Sequence, residues 1–151
     1  MAITAACECG LCRVELSRLP TKRLFCHCTI CQEVYGQPYA DVSITDARTI
    51  HPSNTRPITF RKHKKSLALD SGTCMECKRP VLGLFKLFPG VKLAFLPRYT
   101  LGKMADEIMP CMHIHYQSRI KDSIDTIPKF EGELRSTIAC LGPFVSAFRR
   151  R

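Results

Sequence analysis

Eight of the ten cysteines in this chain of 151 residues stand in three tight groups: Cys7, Cys9 and Cys12; Cys26, Cys28 and Cys31; and Cys74 with Cys77. Closely spaced thiols in a reducing compartment, where disulfides rarely persist, are metal ligands or redox groups. The C-x-x-C pair Cys74 and Cys77 can wrap two sulfurs around one zinc, which is half of a tetrahedral structural site. Cys7 and Cys9, two positions apart, put both sulfurs on one face of an extended segment and can complete that shell. Cys26, Cys28 and Cys31 are then left as three ligands with no obvious fourth cysteine, the arrangement of a metal centre that keeps one position open for substrate. Against this stand two plainer readings: Cys111 or Cys140 closes the set as a fourth structural ligand, or the triplet is simply buried. A thioredoxin-like dithiol would need a βαβ context that the sequence lacks.

The elements that must hold these sulfurs read mostly as strands. From Leu11 to Leu16, Cys12, Val14 and Leu16 fall on one face and Arg13 and Glu15 on the other, which places Cys12 in the core rather than in a ligand set. Further strands are expected at Arg23 to Cys26, Tyr39 to Ile44, Ile58 to Arg61, Ser66 to Asp70 and Met112 to Gln117. The apolar stretch from Val81 to Leu96 is interrupted by Phe88-Pro89-Gly90-Val91, the torsions of a tight turn, and predicts a hairpin. Ile138 to Phe148 reads as a strand or a short helix, and helix is otherwise sparse. His27, His51 and His63 read as surface or structural residues, whereas His113 and His115 flank an apolar strand position and could face a site.

Composition bounds the rest. With 45% hydrophobic and 24% charged residues the chain is an ordinary globular protein, neither disordered nor fibrous. No linker or composition shift divides it, so a single domain over 1–151 is expected. No apolar run reaches the roughly 20 residues that a bilayer demands. The opening MAITAACECG lacks the basic and apolar segments of an export signal, which points to the cytoplasm. A net charge of +10 attracts anions such as carboxylates or nucleic acid. The run Arg61-Lys62-His63-Lys64-Lys65 and the tail Arg149 to Arg151 motivate a nucleic-acid reading. That reading lacks interleaved aromatics for base stacking, and the cysteine spacing fits neither a zinc finger nor a zinc ribbon. A solvated basic face is the simpler explanation. A non-catalytic zinc-stabilised module for a protein partner stays open as the alternative.

Taken together, Cys7-x-Cys9-Gly10, Phe25-Cys26-His27-Cys28-x-x-Cys31 with Gly36, Cys74-x-x-Cys77, Pro110-x-x-His113-Ile114, Ser118-Arg119 and Ile127-Pro128-x-Phe130 resemble the glutathione-dependent formaldehyde-activating enzyme family, which includes a centromere protein V branch. The likeness runs from about Cys7 to Gly132. It implies a mainly β, tent-like fold of small antiparallel sheets stapled by two zinc ions. One zinc would be structural, on Cys7, Cys9, Cys74 and Cys77, and one catalytic, on Cys26, Cys28 and Cys31. It implies a carbon-sulfur lyase that joins glutathione, or another small thiol, to formaldehyde or another small aldehyde. His113 and Arg119 are the candidate substrate-binding residues, as parts of a basic rim for anionic glutathione. The chain departs from the family pattern at Lys78, where Gly is usual, at Gln32, where a basic residue is common, and in having no Trp. It also continues beyond the usual end, as an extension from about 133 to 151.

Overall fold

The computed structural model of the chain describes residues 3–54, 57–63 and 69–149. Strands β1 (Ile3–Ala6) and β2 (Arg13–Leu16) pair antiparallel, and β2 pairs on its other edge with β5 (Ile50–Asn54) to make a three-stranded sheet. The larger sheet has seven strands in the order β10-β3-β4-β9-β8-β7-β6. Its members are β3 (Lys22–Cys26), β4 (Ala40–Asp46), β6 (Ile58–Arg61), β7 (Leu69–Cys74), β8 (Pro80–Phe88), β9 (Val91–Pro97) and β10 (Pro110–Ile114). All its pairings are antiparallel except β10 beside β3. Helices are α1 (Thr29–Tyr35), the single turn α2 (Arg98–Leu101) and α3 (Glu133–Phe148). Of the described residues, strand accounts for about 39% and helix, with the 3-10 turns included, for 28%, so the fold is mainly β, as expected, while helix is less sparse than the sequence implied.

Alternation in β2 survives intact: Cys12, Val14 and Leu16 are buried while Arg13 and Glu15 face outward. They form one core with Val81, Leu96, Leu101 and Ile108, and this core surrounds Cys7 and Cys74. A second core lies under the other end of the large sheet, where Leu24, Val42, Ile44, Leu93 and Met112 meet Cys140 and Ala147 of α3. The expected hairpin joins β8 to β9, with Gly90 at φ +79, a torsion that costs a residue without Cβ little.

One expectation is corrected, one pair of alternatives is settled, and one strand runs further than expected. The segment read as a strand from Met112 to Gln117 stops at Ile114, because His115 turns left-handed at φ +51 and the chain enters a 3-10 turn at Tyr116–Ser118. The segment Ile138 to Phe148 is the later part of a 16-residue helix. Gly142 and Pro143 disguise it in sequence, since Pro143 has no N–H to give the carbonyl of Ala139. The strand expected from Ser66 begins, within the described residues, at Leu69 and runs on to Cys74; positions 66–68 lie outside them. Lys64, Lys65 and the last two arginines of the basic segments also lie outside the described residues.

Tertiary contacts rather than propensity hold α3 in place. Ser136 Oγ accepts the backbone N–H of His115 at 2.8 Å, fixing the first turn of the helix to the left-handed corner. At the other end the Arg18 guanidinium donates to the carbonyl oxygens of Ala147 and Arg149, two of the acceptors that a helix C-terminus leaves unpaired.

Candidate metal centres

The first sulfur set is assembled by two turns that are far apart in sequence. Cys7 and Cys9 lie in the β1–β2 turn, where Gly10, at φ +76, donates its N–H to the carbonyl of Cys7 at 2.9 Å. Cys74 ends β7, and the following turn carries Cys77 and closes with the Lys78 N–H on the carbonyl of Cys74 at 3.0 Å. Lys78 adopts φ +60, a left-handed torsion that costs a residue with a Cβ about 1–2 kcal/mol. The Sγ atoms of Cys7, Cys9, Cys74 and Cys77 lie within 4.8 Å of one another. Separations are 3.3 Å for Cys7 to Cys9, 3.8 Å for Cys7 to Cys74 and 3.7 Å for Cys9 to Cys74. Four sulfurs at 2.3 Å from a tetrahedral zinc stand about 3.8 Å apart, so this set fits a metal ion.

Burial pushes the Cys74 thiol up, but the backbone N–H groups of Cys77 and Glu76 outweigh it and bring it down to about 6. Cys12, fully buried beside this set, is driven above the ordinary thiol range chiefly by that burial. Its contribution is a backbone N–H donated to Cys7 Sγ at 3.2 Å, so it supports the set from the core as the strand alternation predicts.

The second set is built within six residues. Cys26 closes β3, Cys28 caps α1 and Cys31 lies in the first helical turn. Cys28 Sγ accepts the N–H of Cys31 at 3.3 Å, the role an N-cap side-chain oxygen usually plays, and Gly36 ends the helix in a left-handed conformation. Gln32 reaches back from α1 and donates through Nε2 to the carbonyls of His27 and Ser118, at 2.8 Å each, which joins the cysteine loop to the turn after β10. The three sulfurs lie within 4.8 Å of one another, and among the described residues no fourth His, Cys, Asp or Glu joins them. Cys111 and Cys140 belong to neither set. Hydrogen bonds from Cys26 and Cys31 hold the Cys28 thiol down at about 2, while Cys26 and Cys31 themselves are pushed up. Three converging sulfurs that can yield their protons to a cation make a metal donor set. Three soft donors suit zinc.

All three cysteines of this set border a cavity of about 180 Å³. Its remaining wall is apolar apart from Ser71 and the Tyr35 hydroxyl, with Val34, Val42, Ile114, Phe85, Phe95 and Phe144 among the lining residues. Phe85, Phe95 and Phe144 pack with ring centroids 5.8 to 6.1 Å apart. On the other side of Tyr35 lies a more polar cleft bordered by Gln37, Tyr39, Asp41, Arg79, Arg98 and Tyr99. Arg79 lies 4.5 Å from the Tyr99 ring centroid and pairs with Glu8.

The two other site candidates, His113 and Arg119, do not line this cavity, and they stand in different states. His113 is 1% exposed and both ring nitrogens are engaged, Nε2 with Asp125 at 2.9 Å and Nδ1 with His27 Nε2 at 2.8 Å. A carboxylate only accepts, so His113 Nε2 donates to Asp125, and in the tautomer that leaves His113 Nδ1 bare, His27 Nε2 donates to it. His27 Nδ1 is then a bare acceptor, buried with no protein partner. Burial, then the neighbouring His113, hold His27 down at about 4. Lys129, followed by His113, draws Asp125 down to about 2. Arg119 stands at the surface, 4.4 Å from the Tyr116 ring centroid, bonded to Asp122, Glu131 and the carbonyl of Tyr116. In the sequence His27 reads as no more than a surface or structural residue, and nothing there singles out Asp125. The only signal for His27 was its place between two candidate ligands.

The model of the family described as glutathione-dependent formaldehyde-activating enzyme matches residues 2–118. The fold resembles the crystal structure of a Rhodobacter sphaeroides protein, with a TM-score of 0.54 at 14% identity over 66% of this chain and 88% of that one. No curated protein matches the sequence.

Proposed function

The chain belongs to the glutathione-dependent formaldehyde-activating enzyme family, and from that premise we propose a zinc-dependent carbon-sulfur lyase whose addition direction joins the glutathione thiol to a small aldehyde. One domain over 1–151 would carry a structural zinc on Cys7, Cys9, Cys74 and Cys77 and a catalytic zinc on Cys26, Cys28 and Cys31. The observation that carries this reading is the second set: three converging sulfurs, no fourth ligand among the described residues, and a cavity against them. Zinc on three thiolates supplies a fourth position that favours the anion of a bound thiol or polarises a carbonyl oxygen.

The chain's own groups supply the rest. Gln32 and the Cys28 cap hold the three sulfurs in register, and the apolar wall excludes water from their inner side. Arg119 would exchange its exposed partners Asp122 and Glu131 for a glutathione carboxylate. His113 would act from behind His27, fixing that ring through the Asp125 contact.

Calorimetry on zinc-loaded protein tests the reading. Glutathione should bind and S-methylglutathione should bind at least about tenfold more weakly, because the methylated sulfur cannot become a thiolate. Equal affinities would remove the zinc as the thiol's anchor. A non-catalytic binding module is favoured by one observation, the exposed stripe Leu134, Ile138, Leu141 and Val145 on α3. Two metal sites with no exchangeable position would support it.

A further inference from the structure

The proposed reaction places a thiol sulfur and an aldehyde carbon at the same three cysteines, yet the cavity there does not suit either of the family's named reactants. Formaldehyde has no tail to occupy about 180 Å³. Glutathione is polar and anionic, and burying its amides and carboxylates against Phe85, Phe95 and Phe144 would leave them without partners. The peptide has a better place outside the cavity, at the surface toward Arg119. The apolar cavity therefore belongs to the other reactant. A cavity of about 150 Å³ walled by aliphatic and aromatic side chains accommodates a benzene ring, which sets the size of the group that fits here.

A second observation identifies the source of this specificity. The family match ends at residue 118, and the cavity wall is completed by Cys140 and Phe144 from α3, beyond that limit. Helix α3 is tied down at both ends, by Ser136 and by Arg18, so its wall residues are held in place. The extension thus closes over the three-sulfur set a space that the matched segment would leave open.

We propose that the carbonyl substrate is an aldehyde with a ring-sized apolar tail, aryl or of similar bulk, whose tail fills the cavity while its carbonyl faces Cys26, Cys28 and Cys31. In the addition the thiol sulfur forms a bond to the carbonyl carbon, the C=O π pair moves to oxygen, and the thiol proton ends on that oxygen. The product is a hemithioacetal and no redox partner is required. This rests on the thiol-aldehyde reading above.

The test uses zinc-loaded full-length protein, with benzyl alcohol as an unreactive mimic of benzaldehyde and methanol as the mimic of formaldehyde. Calorimetry or amide chemical shifts should give benzyl alcohol an affinity at least about tenfold above methanol, the value of burying several ring carbons. Cys140→Phe should abolish that preference by filling the cavity, and Cys140→Leu, a smaller change that is safer for folding, should reduce it. With glutathione present, the ratio of kcat/KM for benzaldehyde over formaldehyde should exceed about 10 in the wild type and fall in both variants. Equal affinity for the two alcohols, with formaldehyde turned over above background, would overturn the inference and leave the thiol-aldehyde reading standing. No turnover of either aldehyde would overturn both.

Discussion

The two sulfur sets are made from the same side chain and differ in how the fold delivers it. Cys7, Cys9, Cys74 and Cys77 come from two turns about 65 positions apart and clamp the small sheet to the large one around one core. Cys26, Cys28 and Cys31 come from one strand end and one helical turn, so closing them on a metal joins nothing distant. The first set has four sulfurs and buries two of them completely or nearly so. The second has three and faces a cavity. Metal binding is coupled to folding where ligands must be brought together, and to chemistry where a position is left open.

The largest expected effect separates the sets by stability. Cys74→Ser should cost about 3 kcal/mol or more, a fall of roughly 6–12 °C in Tm, whereas Cys28→Ser should cost less than half as much. Equal losses in calorimetric scans would erase the division of roles. The converse holds for ligand binding: Cys28→Ser should abolish glutathione binding by the zinc-loaded protein. Retained affinity in that variant would show that the thiol sits elsewhere.

A third expectation concerns the histidine pair behind the three-sulfur set. Asp125→Asn removes the carboxylate that orients His113, so denaturant titration at pH 7 should show a loss of stability. The folded state holds the Asp125 carboxyl below its ordinary value, at about 2. Its contribution is therefore complete above about pH 4 and disappears as pH falls through about 2. The gap between wild type and Asp125→Asn should narrow over that window, and a constant gap would mean that the charge is not what matters.

The smallest effect belongs to the first set. Lys78→Gly relieves a left-handed torsion at some cost in unfolded-chain entropy, for a net gain of about 0.5–1 kcal/mol. A loss in Tm would mean that the Lys78 side chain supplies something more than the turn.

Both sulfur sets were legible in the sequence because each cysteine lies in a short motif whose spacing limits where the sulfurs can point. The β2 alternation and the Pro89-Gly90 hairpin were legible for the same local reason. Helix α3 was legible only in part, as one of two alternatives over Ile138 to Phe148, since its exposed Leu134, Ile138, Leu141 and Val145 carry no burial signal, and its interior Gly142 and Pro143 argue against a helix. What holds it is a hydroxyl on a distant corner and an arginine 129 positions away from its carbonyl partner. Likewise Asp125, His113 and His27 meet only through tertiary contact, with 86 positions between the two histidines. Departure from the family pattern at Lys78 proved informative, because the position keeps the left-handed torsion that glycine would favour.

The most direct test of one closed and one open centre is zinc X-ray absorption on the fully loaded chain, with and without glutathione. Free protein should show about 3.5 sulfurs per zinc, the mean of four and three, with a light atom completing the average shell. Glutathione should raise that to about 4. Four sulfurs per zinc before any thiol is added would contradict it, since both centres would then be closed by the protein itself.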